Sequence, residues 1–142
     1  MANGKPLLKP SQMRKKAPPS LAKLKKTLWE LCKQITRKRH GYNCYTCGQK
    51  CEAPHTGHFI SSSVCSVAIR YSLDNLRPQC YRCNIHLSGN WIAFENRLLS
   101  QFGELYVKAL KRENEETKGK QYDRLWYESE ISRLSALLAE LG

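Results

Sequence analysis

A chain of 142 residues suits one domain, since a core of this scale can form but a second independent core hardly fits. Its 24 Lys and Arg against 12 Asp and Glu give a formal charge of +12. No apolar run nears the roughly 20 residues that cross a bilayer, and the N-terminus lacks the apolar stretch of a secretory signal, so a cytoplasmic protein that does not insert in membranes is expected.

The charge is uneven. Residues 1–40 hold twelve basic side chains and Glu30 alone on the acidic side, a local +11, which leaves +1 for the rest. Such a field fits a polyanion, with nucleic acid preferred over an anionic membrane surface. Residues 1–19 place Pro6, Pro10, Pro18 and Pro19 among Lys5, Lys9, Arg14, Lys15 and Lys16, and read as a basic flexible arm that grips phosphates. From Ser20, a good N-cap, Leu21, Leu24, Leu28, Leu31 and Ile35 recur at helical spacing, which predicts a basic amphipathic helix over 20–41 ending near Gly41. The candidate DNA-binding residues are Lys15, Lys16, Lys23, Lys26, Lys33, Arg37, Lys38 and Arg39. A solvated charged face is the plain alternative, but the near absence of acids favours phosphate contact.

Residues 42–88 are turn-rich and crowded with Cys, His and Asn, so irregular loops and a hairpin held by metal are expected. From Asn90, Trp91, Phe94, Leu98 and Leu99, then Leu105, Val107 and Leu110, suggest helical segments broken near Gly103. The polar stretch Arg112 to Lys120 separates this 42–112 core from a last helix within 113–142, whose Leu125, Ile131, Leu134, Leu138 and Leu141 either close the core or pair with a second subunit as a homodimer. A single domain is expected over 20–142.

Seven cysteines in a reducing compartment point to metal ligands before disulfides. Cys44-Tyr45-Thr46-Cys47 and Cys80-Tyr81-Arg82-Cys83 are two CxxC knuckles, able to supply the four thiolates of a closed structural zinc site. Cys51 is the alternative fourth ligand, while Cys32 and Cys65 read as ordinary small residues or free thiols. The 32 residues between the knuckles exceed a usual zinc ribbon, and they hold His55, His58 and Asn75; Asn84 and His86 follow the second knuckle. A lone His beside a zinc site is ordinarily structural, whereas His58 between two knuckles and in order with Asn75 and Asn84 is a candidate for catalysis. Asn75 more naturally fixes a loop than touches substrate. His40 belongs with the basic stretch and meets phosphate or solvent, and Tyr45, Tyr71 and Tyr81 pack around the zinc core rather than stack on bases.

The ordered motifs Cys44 to Cys47, His55-Thr56-Gly57-His58-Phe59-Ile60-Ser61, Arg70-Tyr71, Asn75-Leu76, Gln79-Cys80, Cys83-Asn84-Ile85-His86 and Ser88-Gly89-Asn90 resemble the NinG/Rap recombination nucleases of lambdoid phages over about residues 42–112. That family is similar to the HNH and endonuclease VII-like nucleases. The resemblance implies an α+β fold, a small zinc-stapled ββα-metal (HNH-like) core with a basic N-terminal helix and C-terminal helices. It implies a phosphodiester hydrolase acting on branched DNA, flaps or Holliday junctions, in recombination. In it His58 takes the place of the general base, Asn75 that of the loop-ordering residue and Asn84 that of a ligand to a catalytic Mg²⁺ or Mn²⁺. Many HNH sites carry an Asp directly before the base, where this chain has Gly57, so His55 and His86 become further candidates for the metal or for base chemistry. The rival is a non-catalytic zinc-dependent nucleic-acid-binding protein, which would bind in a salt-sensitive manner and cut nothing.

Overall fold

The computed structural model describes Gly4 and residues 17–142. Most of the expected arm, including Lys15 and Lys16, lies outside the described residues. The elements run α1 (Leu21–His40), β1 (His55–His58), α2 (Val67–Arg70), a 3₁₀ turn (Leu73–Asn75), β2 (Leu76–Gln79), a π-helical turn (Arg82–His86), α3 (Trp91–Phe102), α4 (Glu104–Thr117) and α5 (Arg124–Leu141). The fold is α+β: helices around one two-stranded sheet, with a four-cysteine cluster able to hold a metal ion. No described helix is long and apolar enough to cross a membrane.

Local chemistry fixes the ends of these helices. The Ser20 hydroxyl accepts from the Lys23 amide at 3.2 Å to start α1, and Gly41, at φ 75°, ends it with its N–H on the Arg37 carbonyl at 2.8 Å. Asp123 caps α5 by accepting from the Trp126 amide at 3.1 Å. The buried α1 stripe of Leu24, Leu28, Cys32 and Ile35 meets Leu134 and Tyr127 of α5, with Tyr71 and Leu76 completing this first core. Of the expected stripe, Leu134, Ile131 and Leu138 close the core of their own chain, the first of the two roles open to it, while Leu125 and Leu141 are exposed. The Cys32 thiol donates to the Tyr71 carbonyl at 3.5 Å, and burial pushes its pKa up to about 12.

A second core joins Tyr45, Phe59 and Ile69 to Phe94 and Leu98 of α3 and to Val107 and Leu110 of α4. Gly103, at φ 85°, separates the two helices where the break was expected. Two expectations fail here. The polar stretch from Arg112 is helical through Thr117, across the boundary placed at 112, because buried Asn114 accepts from the Ser66 amide at 2.8 Å and Thr117 donates to the Ser66 hydroxyl at 2.7 Å. Those bonds dock α4 on the start of α2. Trp91, Leu99 and Leu105, assigned to an apolar face by periodicity, are instead exposed.

The strands pair antiparallel, with His55 opposite Gln79, Thr56 opposite Pro78, Gly57 opposite Arg77 and His58 opposite Leu76. The 17-residue crossing between them is pinned at its ends by Asn75. Its Oδ1 accepts from the Ile60 amide at 2.7 Å, its Nδ2 donates to the Ile60 and Ile69 carbonyls at 3.0 and 3.3 Å, and its own carbonyl accepts from Phe59 N at 2.9 Å. Wholly buried Asn75 thus holds the loop that follows His58, away from solvent.

Candidate metal centre and adjoining groove

Cys44, Cys47, Cys80 and Cys83 place their four sulfurs within 4.8 Å of one another. The Cys47 and Cys80 sulfurs are 3.8 Å apart, too far for a disulfide and equal to the edge of about 3.8 Å expected for a tetrahedron with Zn–S bonds of about 2.3 Å. Donors already serve the sulfurs: the Cys83 amide reaches Cys80 Sγ at 3.4 Å, and Asn90 Nδ2 reaches Cys83 Sγ at 3.6 Å. Burial opposes ionisation of Cys44, but hydrogen bonds from the Thr46 hydroxyl and nearby amides bring its pKa down to about 6. Cys47 gains from the Gln49 amide, yet burial and the three neighbouring sulfurs push it up to about 12. Four convergent thiols at this spacing are the donor set of a closed tetrahedral site, and the cluster is compatible with structural zinc. Cys51 stays outside, with its thiol on the Gln49 carbonyl at 3.5 Å.

A groove of about 650 Å³ opens beside this cluster. Trp29, Thr56, His58, Asn84, Trp91, Glu95 and Lys111 are among its walls. On the far side of His58 a second hollow is lined by Lys25, Lys26, Trp29, Arg70 and Tyr71. His58 is gripped from two directions. Its Nε2 lies 3.1 Å from the Arg70 carbonyl, and its ring stacks on Trp29 at 5.2 Å and 13°. A carbonyl only accepts, so Nε2 carries the proton and Nδ1 is the free basic atom. Burial lowers the His58 pKa, the Arg70 carbonyl partly opposes this, and the Arg70 charge adds to the lowering, so the imidazole is neutral at neutral pH.

The other expected residues spread out. Asn84 Nδ2 donates to His55 Nδ1 at 2.9 Å, leaving Asn84 Oδ1 free. His55 packs edge-to-face with Tyr81 at 5.6 Å, and exposed His86 does the same at 5.1 Å; neither lines the groove. Among the described residues the four cysteines are the one group of three or more His, Cys, Asp or Glu ligands that converge. Of the basic candidates, Lys26 lies beside His58, exposed Lys23 sits in the first turn, and Lys33 pairs with Glu30 at 2.6 Å. Arg37 and Lys38 flank Tyr42, and Arg39 shares a further hollow with His40 and Arg97. Eleven residues of helix put Arg37 about 16 Å from Lys26.

Position 57 explains the missing acid. A Cβ there would stand 1.9 Å from Gln79 Oε1 and 2.6 Å from its Cδ. Gln79 is wholly buried and donates to Thr46 Oγ1 at 3.1 Å and to the Gly89 carbonyl at 2.8 Å, so it has nowhere to move. Gly57→Ala is expected to cost about 2 kcal/mol or more through this overlap, and Gln79→Ala in the same chain should recover much of it. Chemical denaturation of the two single variants and the double variant checks this, and additive losses would contradict it.

Sequence reasoning missed Arg77. It is buried in β2, with Nη1 donating to the Leu73, Asp74 and Leu76 carbonyls and Nη2 to the Tyr106 hydroxyl, while its Nε has no partner. Its charge faces the rings of Tyr45 at 5.3 Å and Phe102 at 5.6 Å. Though His40 is exposed over much of its surface, partial desolvation of its ring first, then the charges of Arg77 and Arg39, lower its pKa to about 4. The unfolded chain, with His40 near its ordinary 6.5, takes up its proton first as pH falls, so stability is full above 6.5 and declines from there to about 4. His40→Gln should flatten that decline in a series of thermal melts, and an unchanged slope would contradict it.

The fold and cluster define an α+β protein with a four-cysteine cluster able to hold a metal ion, beside a groove that His58 borders. The family model described as bacteriophage lambda NinG protein matches residues 8–138, and the chain belongs to that family. No curated protein and no solved structure matches it.

Proposed function

We propose that this protein is a metal-dependent DNA endonuclease of the HNH type, cutting branched DNA such as flaps or four-way junctions in phage recombination. The observation that carries the reading is His58: a neutral imidazole, oriented by a carbonyl on Nε2 and an indole on its face, between a groove and a second hollow lined by Lys25, Lys26 and Arg70. Such a group takes a proton from water through Nδ1 as the oxygen attacks phosphorus and the 3′-oxygen leaves. Fixed Nε2–H keeps the tautomer and the ring angle, so little reorganisation accompanies proton transfer. Lys25, Lys26 and Arg70 in that hollow would hold a phosphate flanking the scissile one.

A hard divalent cation, Mg²⁺ or Mn²⁺, would supply charge stabilisation at the scissile phosphate. Asn84 Oδ1 is an oxygen donor of the right type, oriented by His55. Glu95, the carboxylate on the groove wall, is paired with Lys111, so such an ion would depend on substrate oxygens for most of its shell. In this reading Asn75 acts by positioning, since its bonds hold the segment after His58, and zinc in the cysteine cluster fixes the scaffold. Matched cuts in two strands of a junction would call for two copies of the chain.

The test is incubation of the zinc-loaded chain with end-labelled linear, flap and four-way-junction DNA in Mg²⁺ and in Mn²⁺. Cutting of a branched substrate supports the reading. Salt-sensitive binding without cutting on every substrate and metal would replace it with a zinc-dependent binding module.

A further inference from the structure

The turn that leads into α3 is strained. Ser88, Gly89 and Asn90 have φ of 48°, 93° and 47°, three consecutive residues in the left-handed region, and two of them are not glycine. The surroundings enforce this shape. The Gly89 amide donates to the Cys83 carbonyl at 2.9 Å, its carbonyl accepts from Gln79, and the Asn90 side chain is turned to Cys83 Sγ instead of capping the helix it precedes. The turn is thus tied at once to the cysteine cluster and to the strand pair that carries His58.

What the turn positions is Trp91, 58% exposed on the wall of the His58 groove. Phe94 and Leu98, wholly buried, anchor α3 in the core, so the indole lies beyond the edge of that core on a rigid base. Ile85 lines the same groove and is 49% exposed. An exposed indole in a groove that shares Trp29 and His58 with a hollow carrying Lys25, Lys26 and Arg70 offers a π-face near the cations that would draw DNA, and the bases of an intact duplex have theirs covered by their neighbours. An unpaired base does not.

We propose that the Ser88-Gly89-Asn90 turn, braced by the cysteine cluster, presents Trp91 as a stacking platform for an unpaired base of branched DNA at the groove that holds His58. The inference rests on the reading of that groove as a DNA site. It adds the feature of the substrate that is recognised: an unstacked base next to the phosphate held there. Trp91 would act in choosing the substrate, with no part in the chemical step.

The experiment is fluorescence anisotropy with the full zinc-loaded chain and no added Mg²⁺ or Mn²⁺. The ligands are a blunt duplex and the same duplex opened into a fork. The wild type should prefer the fork; Trp91→Ala should lose that preference by about tenfold while its affinity for the blunt duplex changes less than about twofold. Trp91→Phe, which keeps a ring, should retain most of it. Zinc content and circular dichroism would establish that both variants fold. Equal weakening on both ligands, an unchanged preference in Trp91→Ala, or a Phe variant as poor as the Ala variant would overturn the proposal, the second assigning the patch to a protein contact instead. A cleavage assay on the same two ligands keeps the readings apart: preference without cutting removes the nuclease and leaves the stacking role.

Discussion

Cys83→Ser is expected to abolish metal binding and to lower the thermal midpoint by about 15 °C or more. Cys83 is wholly buried, its carbonyl and sulfur hold Gly89 and Asn90, and its amide serves Cys80. Structural zinc contributes on the order of 10 kcal/mol of apparent binding energy at neutral pH, comparable with the whole stability of a domain, about 5–15 kcal/mol. Losing even half of that corresponds to a shift of this size, at about 3 °C per kcal/mol for a chain of this length. The core between α1 and α5 shares no residue with the cluster, so part of the helical signal should persist after the knuckles come apart. Metal analysis of the purified chains, with melts followed by circular dichroism, checks both statements. A variant with full zinc content and an unchanged melt would remove the cluster from the stability of the fold.

His58→Ala should lower the cleavage rate by roughly 10²- to 10⁴-fold, the range for loss of a general base, while DNA affinity stays within about twofold. The asymmetry follows from placement, since in the proposed reading Lys25, Lys26 and Arg70 supply the charge for binding and are untouched by the change. The pH profile gives a second handle. In the proposed role His58 acts when neutral, and burial lowers its pKa below the ordinary 6.5, so the rate should rise with pH on the acid side with its midpoint below that value. Equal rates in wild type and variant would assign the base to another group. A parallel loss of binding and cleavage would make His58 a structural residue, held by Trp29 and the Arg70 carbonyl for packing alone.

The parts of this molecule that are legible in the sequence are those that short-range chemistry dictates. Two CxxC units state their purpose in their spacing, Ser20 and Gly41 mark the ends of α1, and Gly103 marks the break between α3 and α4. What depends on contacts between distant residues is not legible. Nothing near Gly57 in the chain shows that Gln79 fills the space of its missing side chain. Arg77 sits in a strand with the composition of a surface residue, yet its guanidinium is closed in by carbonyls of the preceding turn. Polar residues after Arg112 continue a helix because Ser66, 48 positions away from Asn114, offers a bonding partner. Trp91 matches the apolar period of α3, but periodicity carries no information on where the core ends along a helix axis. Trp29 was likewise hidden, an apolar position in a basic helix whose partner, His58, lies 29 residues on.

The proposed division of labour, zinc as scaffold and a different cation for cutting, is tested in one measurement. The chain would be prepared with its zinc counted and all other metal removed, then mixed with a labelled four-way junction before and after addition of Mg²⁺ or Mn²⁺. The expected result is no cutting with zinc alone and cutting once the second cation is added, with the zinc count unchanged and the product absent in His58→Ala. An intact junction under every condition, despite tight and salt-sensitive binding, would contradict it.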